Sequence, residues 1–331
     1  MSTIPRQPVA RLSRRDLLQA ALAAAAPSLA GDARADTWPA RPLTMVLPFP
    51  PGGMFDAVVR ALCDAMAADL GQPVLLNHKA GGGGVTGSAS VATMGDADGY
   101  TLTVMHNTVL RQPHMTRVNY DPLRDFSYVA GLAGLSTGIV VSAASPWKSL
   151  GDLLAEARRR PGEISWGNVG ATSANRIYAE RLAKLAGVKF NFIPFKGGAE
   201  QFTALIGGHL DVSGDPGFGA MVNGGKVKLL GTFTEQRLPR YPQVATVKEQ
   251  GFDLVITSPF GIVAPRKLDP AILARLQAAI RKAEKTPDYQ RLLQEFDLTP
   301  WPLDATAFRA YAQAQIVREK QMLDEVGFKP E

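Results

Sequence analysis

Residues 43–77 read LTMVLPFPPGGMFDAVVRALCDAMAADLGQPVLLN, and within them the spacing of apolar positions changes twice. The aliphatic run 43–49 predicts a strand, closed by the turn signal Pro50-Pro51-Gly52-Gly53. Val58, Val59, Leu62, Cys63 and Met66 then recur at helical spacing over 55–70, Gly71 stops the helix, and 73–77 is again strand-like. Strand, helix, strand in one short stretch is the crossover unit of a parallel sheet.

Outward from this unit the alternation persists. Strands are predicted at 101–106, 139–142, 164–167, 190–193, 210–213, 228–233 and 260–263, and helices at 86–93, 149–159, 174–186, 199–207, 270–282, 287–296 and 305–326. The pattern defines an α/β protein with mainly parallel sheets. In such sheets ligands sit beyond the carboxyl ends of strands. Four loops there carry suitable groups: Pro50 to Gly53 with Asp56; His106, Asn107 and Thr108; Asn168 to Ser173; and Lys196 to Ala199. Several are glycine-rich and lead into helices, whose unpaired N–H groups favour an anion. Thr172 and Ser173 can cap a helix or face such an anion. Arg176 can add a charged fork there or lie solvated.

The 331 residues suit about two domains at ~150 residues each. With 46% hydrophobic residues the chain can bury a large core, which excludes a disordered or fibrous protein. The net charge is +6, half of it from five arginines against two aspartates in residues 1–35, so nucleic acid is not expected as a partner. The single cysteine, Cys63, reads as a packed thiol, and the four histidines are too scattered to hold zinc. No metal or cofactor is expected. Residues 1–35 read as an export signal: Arg14-Arg15 with Leu17-Leu18 in the twin-arginine manner, an apolar run too short to span a membrane, and Ala33-Arg34-Ala35 before cleavage. An ordinary secretory signal is the alternative. The mature protein is expected to be soluble and periplasmic.

Two motifs point elsewhere. Gly82-Gly83-Gly84-Val85-Thr86-Gly87 fits a dinucleotide fingerprint, but the next strand ends in His106-Asn107 instead of an acid. Gly134-Leu135-Ser136-Thr137-Gly138 fits a nucleophile elbow, which keeps a secreted serine esterase as an alternative, yet a strand follows where the elbow needs a helix. The carboxylate pairs Asp121/Asp125 and Glu156/Glu163 read as surface charge.

The segments 38–43, 48–53 with Asp56, 71–74, 81–84 with Gly87, 98–102, 120–126, 194–197, 208–212, 225–227, 242–247 and 264–265 stand in a specific order and spacing. In that order and spacing the mature chain resembles the Bug-type extracytoplasmic receptors of tripartite tricarboxylate transporters. It implies a two-domain periplasmic-binding-protein fold of type II with the ligand in the interdomain cleft. The domains would be 37–138 plus 263–331, and 139–262, with crossings near 136–142 and 257–263.

The resemblance also implies a non-enzymatic, monomeric receptor that captures a small carboxylate and delivers it to membrane transporter subunits. A receptor presenting its ligand to a membrane sensor kinase is the alternative with the same cleft. Carried over by position, the ligand-binding residues are Pro50, Pro51, Gly52, Gly53, Asp56, His106, Asn107, Thr108, Asn168, Gly170, Thr172, Ser173, Gly198 and Asp215. Arg176 joins them as the residue replacing a histidine common in the family. Pro259 stands where a tryptophan is expected, and 213–226 is shorter than usual, so the ligand's identity is not inherited.

Overall fold

The computed structural model describes residues 38–325 and 327–328. The export signal read at 1–35 lies outside them. Residues from Arg41 onward form one compact unit. Its described strands build a six-stranded and a five-stranded sheet, each flanked by helices.

The opening stretch folds as β1 (Leu43–Leu47), α1 (Met54–Leu70) and β2 (Val74–His78). Strand β1 is an interior strand, parallel to β2 on one side and to β3 (Thr101–His106) on the other. Helix α1 buries Val58, Val59, Leu62, Cys63 and Met66 and ends at Gly71 in the left-handed conformation. Cys63 is enclosed, and burial pushes its thiol up to about 12, so it packs as a small hydrophobe. The remaining strands of this sheet are β4 (Phe126–Leu135), β10 (Ser258–Pro265) and β11 (Thr299–Pro300), in the order β11-β4-β10-β3-β1-β2.

The second sheet has the order β7-β6-β8-β5-β9, from β5 (Gly138–Ser142), β6 (Ser165–Val169), β7 (Asn191–Phe195), β8 (Val212–Ser213) and β9 (Val227–Thr232). Both sheets share one plan. Three parallel strands are followed by an antiparallel strand arriving from the other sheet and then by the strand that leaves for it. The chain crosses at Ser136-Thr137 between β4 and β5, and returns through Thr257 into β10. The sheets are therefore mixed, a correction to the mainly parallel reading. Strand and helix alternation does not register the direction of a strand that enters from the neighbouring lobe.

Around the first sheet lie α1, α2 (Val85–Ala92), α3 (Asn107–Arg111), α8 (Pro270–Ala283), α9 (Pro287–Glu295) and α10 (Ala305–Glu325). Around the second lie α4 (Leu150–Arg159), α5 (Ala174–Ala186), α6 (Gly198–Ile206) and α7 (Gly219–Asn223). The second core centres on Trp166, fully enclosed with Ile139, Val141, Leu182 and Val212. Among the described residues no helix is long and apolar enough to cross a membrane.

Strands β4 and β11 and helices α3 and α7 escaped the sequence reading. Strand β4 is buried along most of its length and holds Gly131, where a Cβ would lie 2.6 Å from the Trp301 ring. It shows neither alternation nor β-branched enrichment. The two helices have five residues each, too few for a period to appear. Asp125 is also corrected: it is buried, accepting from the Asp121 N–H at 2.8 Å and from Arg124.

Candidate functional site

A cavity of about 90 Å³ lies between the lobes, several times the ~10–15 Å³ needed by one water. It opens at the carboxyl ends of β1, β3, β6, β7 and β8, where the crossover topology gathers loops distant in sequence. Pro50, Gly53, Met54 and Phe55 line it from the first loop, His106 and Thr108 from the second. The second lobe supplies Val169, Ser173, Ala174, Asn175, Gly197, Gly198, Ala199 and Asp215.

Helices α1, α5 and α6 begin at this cavity, as does the five-residue α3. Helix α1 has Gly53 as its N-cap and α6 has Gly197, neither with a side-chain cap, so their first-turn N–H groups stay available. Helix α5 is capped by Ser173, whose Oγ accepts from the Arg176 N–H at 3.2 Å. That bond uses a lone pair and leaves the hydroxyl proton free to donate. Thr108 is in the same state: its Oγ1 accepts from Arg111 Nη2 at 3.2 Å. The cavity thus gathers unpaired donors and partial positive charge, while among the described residues no lysine or arginine lines it.

The acceptors in the wall are already engaged. Asp215 is buried and accepts from the Val169 N–H at 2.9 Å, Asn175 Nδ2 at 2.6 Å and Gln201 Nε2 at 2.8 Å. Burial raises its pKa against the pull of those bonds. Its carboxylate braces the starts of α5 and α6. His106 sits beneath the stacked Phe49 and Phe55 rings, whose centroids are 4.2 Å apart, with Nε2 3.2 Å from the Gly84 carbonyl. Burial lowers the imidazole to about 4, so the ring is neutral at pH 7 and donates from Nε2.

Seven of the expected site residues meet at the cavity: Pro50, Gly53, His106, Thr108, Ser173, Gly198 and Asp215. Gly52 and Asp56 line an adjoining chamber, and Pro51 is exposed beside it. Asp56 accepts from the Gly52 N–H at 2.9 Å and pairs with Arg60 and His78. Asn107 pins the second crossing, donating to the Thr257 carbonyl at 2.9 Å and accepting from Tyr311. Asn168 donates to the Gly214 carbonyl behind Asp215. Thr172 presents its carbonyl to Arg111, and Arg176 is turned from the cavity onto Glu180 and over the Phe192 ring, 4.0 Å from its centroid.

Gly170 has φ +81°, and a Cβ there would lie 2.6 Å from the Gly83 Cα of the opposite lobe. Only glycine permits this approach. Gly83 belongs to the glycine run that resembled a dinucleotide fingerprint, and its use is this interlobe contact. Asn175 and Ser258 also escaped the sequence reading. Asn175 follows the capping serine by two residues and Ser258 opens β10 at the second crossing, the signals that could have found them. Ser136 is buried at the first crossing, between two strands, without the helix a nucleophile elbow requires.

Two α/β lobes joined by paired crossings, with a cavity of helix N-termini between them, define a periplasmic-binding-protein-type receptor of type II. Residues 58–328 match the family described as the tripartite tricarboxylate transporter family receptor. The UPF0065 protein in the gbd 5' region of Cupriavidus necator is 37% identical over 317 residues, 96% of this chain and 97% of that one. MatC from Rhodopseudomonas palustris, solved with bound malate, has 27% identity and a TM-score of 0.80, covering 86% of this chain and all of that one. A second R. palustris structure, with adipate, has 25% identity and a TM-score of 0.82 over 89% of this chain and all of that one. The chain belongs to the tripartite tricarboxylate transporter receptor family, Bug type. It is a periplasmic solute-binding protein, not an enzyme.

Proposed function

We propose that the protein captures a small carboxylate in the interlobe cavity, closes over it and delivers it to the membrane subunits of a tripartite tricarboxylate transporter. The carrying observation is the convergence of α1, α5 and α6 N-termini with the free hydroxyl protons of Thr108 and Ser173 in a cavity that, among the described residues, no lysine or arginine lines. A helix end stabilises a carboxylate by ~0.3–1 kcal/mol, up to ~2 when partly buried, and each charge-assisted hydrogen bond adds ~1.5–3 kcal/mol. Several such terms suffice without an arginine clamp. The malate and adipate held by the two R. palustris relatives support the same ligand class.

The lobes that close are taken as 37–138 plus 263–331, and 139–262, acting as a monomer. Pro50, Gly53, His106, Thr108, Ser173 and Gly198 touch the ligand, while Asp56, Asn107, Asn168, Gly170, Thr172 and Asp215 shape the loops that do. Export follows the twin-arginine route, directed by Arg14-Arg15. The test is a thermal-shift scan of residues 36–331, stripped of ligand by unfolding and refolding, against mono-, di- and tricarboxylates, amino acids and aromatic acids. Ligand at 100 times its Kd adds ~2.7 kcal/mol, a measurable rise in Tm. A cooperative protein that no acid shifts would refute carboxylate capture.

A further inference from the structure

A second chamber of about 310 Å³ adjoins the carboxylate cavity, sharing with it Gly53, Met54, Gly198, Ala199 and Pro216. Beyond that shared wall its character changes: with Met54 of the wall, the side chains of Phe202, Ile206, Met221 and Phe296 face it, and among the described residues no lysine or arginine does. Phe202 is buried, whereas Ile206 stands 42% exposed at the rim, a large apolar side chain with open space before it. Among the described residues the one charged side chain in the lining is Asp56. Although desolvation works to raise its pKa, hydrogen bonds from Gly52, His78 and Arg60 hold it below the usual carboxylate value, so it remains an anion at neutral pH.

We infer that the ligand is an acid with a single carboxylate and an apolar body, whose apolar end occupies the chamber bounded by Met54, Phe202, Ile206, Met221 and Phe296. The inference rests on carboxylate capture in the first cavity and adds the character of the other end. A second carboxylate in the chamber would lose hydration against thioether, phenyl and aliphatic surface, with the Asp56 carboxylate as its neighbour and Arg60, the cation beside Asp56, already engaged by that carboxylate. Methylene or aromatic groups there would instead gain from burial. Arg176, the residue that could have held a second carboxylate, is engaged by Glu180 and Phe192.

The test titrates ligand-free protein with propionate, hexanoate and adipate by calorimetry. Hexanoate should bind about tenfold or more tighter than propionate, because extra methylenes enter the chamber, and by a similar factor tighter than adipate of equal length. Ile206→Lys, at the exposed rim, should shrink or reverse the preference for hexanoate over adipate. Adipate binding as tightly as hexanoate, propionate equalling hexanoate, or an unchanged preference in Ile206→Lys would each overturn the apolar end while leaving carboxylate capture standing. Failure of all three acids to bind, together with an unresponsive thermal-shift panel, would remove carboxylate capture and the inference with it.

Discussion

Single positions decide whether the cavity can hold an acid. Gly53 has φ −95°, a conformation open to any residue, and a Cβ there would come no closer than 4.0 Å to the Ala199 nitrogen. Gly53→Val should therefore fold normally but place its methyls among the donor groups of α1 and α6. The expected result is loss of the ligand-induced rise in Tm with little change in the ligand-free Tm; a retained rise would mean the carboxylate lies elsewhere. His106 makes a different prediction, about pH. Its folded pKa of about 4 lies below the unfolded value of ~6.5, so between these values the unfolded chain binds a proton that the folded chain refuses. The stability from burying a neutral ring is complete above pH ~6.5 and is lost as pH falls toward 4, by about 3 kcal/mol on the full difference. Asp215, with its raised pKa, works in the opposite sense, so the comparison is with a variant. Denaturant unfolding of His106→Asn at pH 7, 5.5 and 4.5 should show a shallower decline than the parent; parallel declines would assign the acid sensitivity to other groups.

At the scale of elements, the start of α5 joins two roles that sequence alone left open for Ser173. The residue caps the helix through its Oγ and lines the cavity. Ser173→Asp separates the roles, because aspartate caps as well as serine but brings a negative charge to the anion's place. It should unfold within ~0.5 kcal/mol of the parent and lose most acid affinity, whereas Ser173→Ala should lose ~1 kcal/mol of stability and only part of the affinity. Equal affinities in Ser173→Asp and the parent would reduce Ser173 to a cap. This start was legible because Ser, an apolar run and a later Gly187 mark both ends of the helix. The loop after β1 was legible for the same reason, through Pro50 to Gly53. Direction was not legible: Glu180, four residues beyond Arg176, hinted at a pair, but Phe192 reaches that guanidinium only because β6 and β7 lie side by side. Strand β4 was hidden by its glycines and its burial, and the mixed sheet order by long-range pairing that no local period records.

For the whole molecule the question is what holds the lobes together over a ligand. Arg111, fully buried in α3, donates through Nη1 to Glu319 of α10 at 2.7 Å and through Nη2 and Nε to the Thr172 carbonyl of the other lobe at 2.8 and 3.2 Å. The same Nη2 engages Thr108 at the cavity. Arg111 therefore links the cavity wall to the lobe contact. The interface is reinforced by Met115 and Met322 packing with Ile177, and on another flank by Tyr241 donating to Asp297 at 3.0 Å. Opening would break the bonds to Thr172 along with these flanking contacts but leave Glu319 within the first lobe to keep the guanidinium paired, so under the proposed capture the closed state is favoured by the interlobe contacts together with the ligand's own contacts to both lobes. Deleting the guanidinium outright would strand Glu319 at a cost of ~3–5 kcal/mol and confuse folding with closure. Arg111→Lys keeps the charge opposite Glu319 while losing the fork that spans to Thr172. This variant should bind acids roughly three- to tenfold more weakly, with the loss in a faster dissociation rate and an almost unchanged association rate. Small-angle scattering of the saturated variant should also show a larger radius of gyration than the saturated parent. An unaltered dissociation rate would mean that the ligand alone closes the lobes and that Arg111 serves the first lobe only. A slower association rate instead would place Arg111 in the encounter with the ligand, before closure, a role its complete burial between α10 and Thr172 argues against.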